Sequence, residues 1–440
     1  MPRNREMVAT KLQRIAEKAR TEPNCRFTSL FHLMNVDVLR ECFGELRKDA
    51  AAGIDKVTKE EYGRNLEENL EALVGKLHRM SFIPLPVRRV YIPKPGSGKK
   101  RPLGIPALED KLVQSGLARI LAVIYEADFI EDSYGFRPGR GCHDALRALS
   151  KEVEGGRVHY IVDADIKAFF DNVDHEWLMK FIGHRIADKR VLRYVKRFLK
   201  AGIMENGELS ASDKGTPQGG IVSPILANIY LHYSLDLWFT RVFQKGCYGQ
   251  CRIIRYADDF VACFEQEGDA NRFRQELDER LSMFGLEISP EKTKTIEFGP
   301  VAESKAKRRG SKAATFDFLG FTHYCSRSRD GRRFRMKRVT SRKKFTVKLR
   351  MFRDWLKASR TLPTSDLMDK VASKLRGHYA YYGVTDNSRG ILRFTREVHL
   401  LLFKWLNRRG KRGCMNWEKF ELFLRKYPLP GPRIMVNLFA

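Results

Sequence analysis

Three carboxylates stand where a metal-dependent reaction could use them. Asp165 closes a β-branched run, VHYIVDADI (158–166), and Asp258-Asp259 lies between two apolar runs in RIIRYADDFVACF (252–264). The first run reads as a strand. The second reads as a hairpin with an acidic tip, where Asp tolerates the turn conformations needed. Nucleotidyl transfer needs two divalent ions about 4 Å apart, one activating a 3′-hydroxyl and one neutralising a triphosphate leaving group. Hard Mg²⁺ prefers carboxylate and phosphate oxygens, so two or three carboxylates on rigid strand ends are a sufficient protein contribution. Lys94 and Arg101 lie on another predicted hairpin, VRRVYIPKPGSGKKRPLGIP (87–106), whose alternating apolar and basic residues flank a Gly/Ser/Lys turn. Arg grips phosphate with two parallel hydrogen bonds and Lys acts as a point charge. Spacing alone does not bring these groups together, because 92 residues separate Asp165 from Asp258. Taken singly, a DD turn is commonly a solvated loop.

The elements that must position them are legible in outline. Residues 1–80 read as helical, with apolar positions three and four apart at Leu30, Leu33, Val38 and Leu39. A buried helix is expected over 110–127. Ser223-Pro224 opens another, since Ser is a good N-cap and Pro fits the first turn. Its apolar face continues through Ile225, Ile229, Tyr233 and Leu237. Beyond about residue 330 the pattern becomes helical. Phe345, Leu349, Phe352 and Leu356 form one stripe, interleaved with basic Lys343, Lys344, Lys348, Arg350 and Arg353. Further helices run through Leu367, Val371 and Leu375 and from Ile391 to Leu406. Mixed strands and helices followed by a basic helical bundle imply a multi-domain α+β chain.

Composition narrows the class. With 440 residues, 43% of them hydrophobic, the chain can bury real cores. No run of 18 or more uncharged apolar residues occurs, so no membrane-spanning helix is readable and no membrane partner is expected. Met1 to Arg20 alternates charges of both signs and lacks a secretory apolar stretch, which implies a soluble intracellular protein. Lys and Arg number 82 against 53 Asp and Glu, a net charge of +29. Residues 331–440 carry 28 Lys/Arg against 7 Asp/Glu, or +21 of that surplus. So concentrated an excess suits a region that tracks a phosphate backbone. Cys247 and Cys251 form an isolated CxxxC without nearby histidine, which reads as ordinary thiols.

Taken together, these segments resemble the reverse transcriptases. Tyr256-Ala257-Asp258-Asp259 resembles the YxDD box, and DADIKAFFDNVDH (163–175) the first metal-binding motif of the palm. GTPQGGIVSPILANIYL (215–231) resembles the template-and-nucleotide motif that opens the long palm helix. YGFRPGRGCHDAL (134–146) and IPKPGSGKKRPLGIP (92–106) resemble the fingers motifs, and GLEISPEKTK (285–294) and FDFLGF (316–321) the later palm motifs. All stand in the family's order, over roughly residues 85–325. The wording is similar to group II intron-encoded proteins. RGHYAYYGV (376–384), WLNRRGKRG (405–413), Trp417 and the stretch from Pro428 to Ile434 resemble their maturase domain X, which doubles as a thumb. The resemblance implies a right-hand polymerase fold: an N-terminal extension of the fingers over 1–80, fingers and palm over 81–330, a helical thumb or domain X over 331–410 and a basic segment over 411–440. An endonuclease domain with paired cysteines and histidines is not expected, and Cys414 alone does not supply one.

The resemblance also implies roles. Asp165 and Asp258 would bind two Mg²⁺ ions, with Mn²⁺ as a substitute, and Asp259 would support them. Phe170 would clash with a ribose 2′-hydroxyl, a place for which Phe169 competes. Lys94 and Arg101 would grip the triphosphate, Gln218 would support the templating pair or incoming nucleotide, and Lys292 or Lys294 would protonate pyrophosphate as general acid. Lys343, Lys344, Lys348, Arg350, Arg376, Tyr381, Arg408 and Arg409 would contact RNA. The implied partners are a group II intron RNA, an RNA template with a DNA primer, deoxynucleoside triphosphates and target DNA, in a bacterial cytoplasm. The implied function is RNA-directed DNA synthesis with assistance to splicing and retrohoming. Two alternatives stay open: a splicing-only RNA-binding maturase, and an intron-free bacterial reverse transcriptase with a host function.

Overall fold

The structure is a computed structural model that describes residues 2–93, 100–210, 213–409 and 415–439. In chain order its strands are β1 (Val87–Pro93), β2 (Lys100–Ile105), β3 (Tyr160–Asp165), β4 (Ile203–Glu205), β5 (Glu208–Ser210), β6 (Cys251–Tyr256), β7 (Asp259–Phe264), β8 (Lys294–Glu297), β9 (Phe316–Phe318), β10 (Phe321–Arg327) and β11 (Phe334–Thr340). They form three sheets, ordered β2-β1-β4-β5, β6-β7-β3-β8 and β11-β10-β9. The α+β expectation holds.

The sheet β6-β7-β3-β8 is antiparallel at every pairing. β7 reads as a continuous apolar run after Asp259 because both of its faces are covered. Along β7, Phe260, Ala262 and Phe264 join a core built with residues 19–129 and with the helices Ser223–Leu231 and Glu267–Ser282. Val261 and Cys263, pointing the other way, join Ile161, Ile254 and Ile296 in a second core. That second core includes Phe352, Leu375, Phe394 and Leu402 of the C-terminal helices Arg342–Ala358, Thr364–Tyr382 and Ser388–Leu406. Side chains alternate across a strand, so one run serves two cores.

Three expectations need correction. The boundary at residue 330 falls within the β10–β11 hairpin, whose register runs from Phe321↔Thr340 to Arg327↔Phe334. FRMKRVT is basic like the helices after it, but its alternation has period two, with Met336 and Arg338 buried. Ser223 is not the N-cap of its helix. Val222 holds that place, and the Ser223 hydroxyl donates to Pro217 O at 2.9 Å. The serine ties back the preceding turn instead. The helix also changes pitch: after Leu231 it runs through π-helical turns over His232–Asp236 and Phe239–Phe243. Ser234 and Thr240 donate hydroxyls to the carbonyls of Tyr230 and Asp236, four residues back. Such bonds compete with the regular ladder.

The basic hairpin β1–β2 pairs as expected, from Arg88↔Ile105 to Pro93↔Lys100. It meets the sheet's loops at one point. Gly104 N donates to Gln218 O at 2.6 Å, and Gly219, at φ +114°, leaves only 2.5 Å between a Cβ and Gly104 O. Glycine is required there on both counts.

Candidate active site

The register of the central sheet assembles the carboxylates. Asp165 pairs with Asp259 across β3 and β7, and Tyr256 pairs with Asp259 across β6 and β7. Ala257 and Asp258 are therefore the two residues of the hairpin turn. The left-handed conformation falls on Ala257 (φ 57°), not on an aspartate as the sequence suggests. A second turn touches the first. Leu319 (φ 48°) and Gly320 (φ 81°) connect β9 to β10, and both adopt the positive φ that a tight two-residue turn demands. The Leu319 amide faces the Asp259 carboxylate, and Leu319 O accepts from the Tyr381 hydroxyl at 2.9 Å.

Asp165 and Asp258, but not Asp259, line a cavity of about 710 Å³, with Lys100, Arg101, Phe136, Phe170, Gln218 and Lys292. Its electrostatics are those of crowded anions. Burial, then the charge of Asp165, raises the Asp258 carboxyl above its ordinary range, against Arg101 and Arg255. Burial, then Asp258 and Asp165, pushes Asp259 up to about 6. Asp259 is exposed to solvent, which tempers that push and leaves its direction upward. Asp163, on the same strand as Asp165, is pushed up to about 7 by burial and by Asp259, Asp317 and Asp165. The Lys292 ammonium lies 2.6 Å from Asp165. Among the described residues no three His, Cys, Asp or Glu side chains close around one point as a metal cage. A site for hard cations that also uses substrate phosphates needs no such cage. The donor set fits: all-oxygen ligands whose charges repel one another.

The other expected residues divide. Lys94 lies outside the described residues. Arg101 stands on β2 at the cavity, close enough for its charge to act on Asp258. Both Phe169 and Phe170 line the cavity; Phe169 is 2% exposed and packs against Tyr230, whereas Phe170 is half-buried. The Phe170 carbonyl accepts from Thr216 N at 2.8 Å, tying that loop to the Gln218 turn. Lys294 sits on β8 opposite Asp163, away from the cavity lining, while Lys292 reaches Asp165. Lys343, Lys344, Arg350, Arg376 and Arg408 are exposed, and Lys348 is half-buried over the Tyr382 ring. Two of the expected RNA contacts are occupied by the fold. Tyr381 stacks on Phe321 and bonds Leu319 O, and Arg409 donates to Leu362 O and Thr364 Oγ1 at the start of a helix. Both lie near basic surface in sequence, which conceals their inward contacts.

Sequence reasoning passed over Phe136, an exposed aromatic at φ 56° on the cavity wall, and Gln114, whose Oε1 accepts from Ile221 N at 2.8 Å beneath the Gln218 turn. It also passed over Arg255, which is fully buried in β6. An arginine following the apolar pair Ile253-Ile254 was the available signal, since a charge buried there must find a partner.

Residues 92–323 match the family described as reverse transcriptase (RNA-dependent DNA polymerase). The chain is 40% identical to the group II intron-encoded protein LtrA of Lactococcus lactis subsp. cremoris over 53% of its own length and 39% of LtrA. It is 35% identical to the protein YkfC of Escherichia coli, over 58% of this chain and 75% of YkfC. It is 34% identical to a 91 kDa protein in the cob intron of Schizosaccharomyces pombe, over 51% and 28% respectively. Among the described residues no helix is long and apolar enough to cross a membrane. Since the family match covers just over half of the chain and contains Asp165, Asp258 and Asp259, the chain belongs to the reverse transcriptase (RNA-dependent DNA polymerase) family.

Proposed function

We propose that this chain extends a DNA primer on an RNA template with deoxynucleoside triphosphates, and that it binds a group II intron RNA to assist its splicing and retrohoming into target DNA. The observation that carries the first part is the Asp165↔Asp259 pairing beside the Ala257-Asp258 turn, at a cavity faced by Arg101. Asp165 and Asp258 would hold two Mg²⁺ ions, or Mn²⁺ in their place, with Asp259 in support. When bound, such ions lower the pKa of the primer 3′-hydroxyl and neutralise charge on the departing pyrophosphate. Arg101 holds the triphosphate by charge-assisted hydrogen bonds, a role proposed also for Lys94. Phe170 closes the floor where a ribose 2′-hydroxyl would sit. Gln218, fixed through its carbonyl to Gly104, would support the nascent pair. Lys292 stands at the cavity edge within reach of pyrophosphate oxygens.

The second part rests on the similarity to LtrA, a group II intron-encoded protein by name, and on the exposed basic residues of the C-terminal helices. Lys343, Lys344, Arg350, Arg376 and Arg408 form the proposed RNA surface. An A-form duplex is recognised through its shape and phosphates, which suits sequence-tolerant copying. In this reading residues 1–80 extend the fingers, and the helices after β11 act as thumb and maturase domain.

The test is primer extension on an RNA template with Mg²⁺. DNA product is expected from deoxynucleotides, with a loss of at least about 1,000-fold in Asp165→Ala and in Asp258→Ala, and RNA binding nearly unchanged. An intact, RNA-binding protein that makes no product would overturn the polymerase assignment.

A further inference from the structure

The turn that carries Asp258 is held from behind by an arginine with no contact to the cavity. Arg255 is the residue before Tyr256, and its side chain is fully buried. Its guanidinium makes four hydrogen bonds: Nε and Nη2 reach the two oxygens of Asp236 at 2.8 and 2.5 Å, and Nη1 reaches Asn228 Oδ1 at 3.1 Å and Ala257 O at 3.0 Å. Asp236 is also fully buried, and it is the last residue of the first π-helical turn. Asn228 is fully buried too, and its Nδ2 donates to Gly135 O at 2.7 Å. Gly135 then abuts the turn itself, where an added Cβ would lie 2.3 Å from Ala257 N. Along the backbone, Arg255 N donates to Asp132 O at 2.9 Å and Tyr134 N to Arg255 O at 2.8 Å. Ala257 is thus gripped at its carbonyl by Arg255 and pressed at its nitrogen by Gly135. The next residue is Asp258.

From this geometry we infer that Arg255, seated on Asp236 and Asn228, is a positioning residue that fixes the Ala257-Asp258 turn and so sets how well Asp258 receives a divalent ion. The inference rests on the polymerase reading above. A buried ion pair is a poor device for stability, because apolar residues of similar volume commonly replace one at no loss. A fork that ties one carbonyl of a strained turn to two points on a helix is instead a device for geometry. Displacements near 1 Å at a reacting centre cost roughly 100-fold in rate.

The test compares wild type with Arg255→Lys and with the double variant Arg255→Met/Asp236→Leu, after circular dichroism and melting establish the folded fraction of each. Steady-state extension gives kcat, the deoxynucleotide KM and the Mg²⁺ midpoint. Separately, Mn²⁺ binding is followed by electron paramagnetic resonance in a complex with RNA template, dideoxy-terminated primer and matched deoxynucleotide, where no chemistry occurs. The double variant is expected to fold, to lose roughly 10- to 100-fold in kcat with little change in KM, and to bind Mn²⁺ several-fold more weakly. Arg255→Lys, which keeps the charge without the fork, is expected in between. Wild-type Mn²⁺ affinity in variants whose kcat falls only with their folded fraction would overturn the inference. If the double variant does not fold, Asn228→Ala decides: it leaves the ion pair and removes the link to Gly135, so a smaller shift in the same direction supports the inference and unchanged Mn²⁺ binding overturns it. A wild-type chain that extends no primer overturns the polymerase reading and this inference with it. Extension by wild type with variants indistinguishable from it overturns this inference alone.

Discussion

At the scale of single residues, burial sets what each charge can do. Asp110 is 2% exposed, and its Oδ2 accepts from Leu85 N at 3.1 Å. Burial, with Asp55 and Glu109 adding repulsion against the Leu85 amide, pushes its carboxyl up to about 7. An unfolded Asp titrates near pH 3.9. The folded value is the higher one, so the contribution to stability is fully present below about pH 3.9 and lost as pH rises toward 7. Asp110→Asn can still accept from Leu85 but cannot ionise. It should therefore raise stability at pH 8 by on the order of 2–4 kcal/mol and change it little at pH 4, as read from denaturant melts at both pH values. Phe170 gives a prediction of another kind. Phe170→Val removes the ring from the cavity floor and should raise ribonucleotide incorporation relative to deoxynucleotide by roughly 10- to 100-fold, in a direct competition assay, since excluding one small group is worth about that much. The three carboxylates and Phe170 could be read from residue types because their neighbours in the chain carry the pattern. Arg255, Tyr381 and Arg409 could not, because what a polar side chain meets when it turns inward is decided by segments far away in sequence.

At the scale of elements, hairpins and their turns build the site, and the turns are constrained more tightly than the strands. Gly219 at φ +114° faces Gly104 O, with no room for a Cβ between them. Gly219→Ala should part the basic hairpin from the Gln218 turn. The expected result is a rise of roughly tenfold in deoxynucleotide KM, with a melting temperature lowered by only a few degrees, because the cost falls on one loop junction. An unchanged KM would show that this junction does not set the nucleotide site. Strands β3, β6 and β7 and the helix at Ser223 were legible from periodicity and β-branched content. The pitch change after Leu231 was not, since Ser234 and Thr240 look ordinary on an apolar helix until their hydroxyls bond backward. The β10–β11 hairpin was misplaced because its basic residues imitate the composition of the helices that follow.

At the scale of the whole molecule, charge and core connectivity dominate. A net charge of +29, concentrated after residue 331, should make RNA affinity fall by about 1,000-fold or more between 50 and 200 mM salt if six or more phosphates are contacted. Replacing Lys343, Lys344 and Arg350 together by alanine should flatten the slope of log K against log salt by about 2, and a filter-binding titration at four salt concentrations measures it. An unchanged slope would move the RNA surface elsewhere. The overall class and the direction of the charge argument were readable from composition. The packing of the C-terminal helix Ser388–Leu406 against β11, and of the helix Cys142–Glu154 against β6 and β11, was not, because apolar positions on a helix do not name the partner they will cover.

That shared sheet also sets an order of events. Asp165, Asp258 and Lys292 meet only when β3, β7 and β8 have paired, and Ile161, Val261 and Ile296 share their core with the distant β9–β11 sheet and with helices beyond residue 342. Loop-closure entropy must be met before such distant contacts give any return, so sheets of this kind form slowly. A newly made chain would hold its local helices well before it held any chemistry. In that interval β7, apolar on both faces, is the segment most exposed to pairing with another copy of itself.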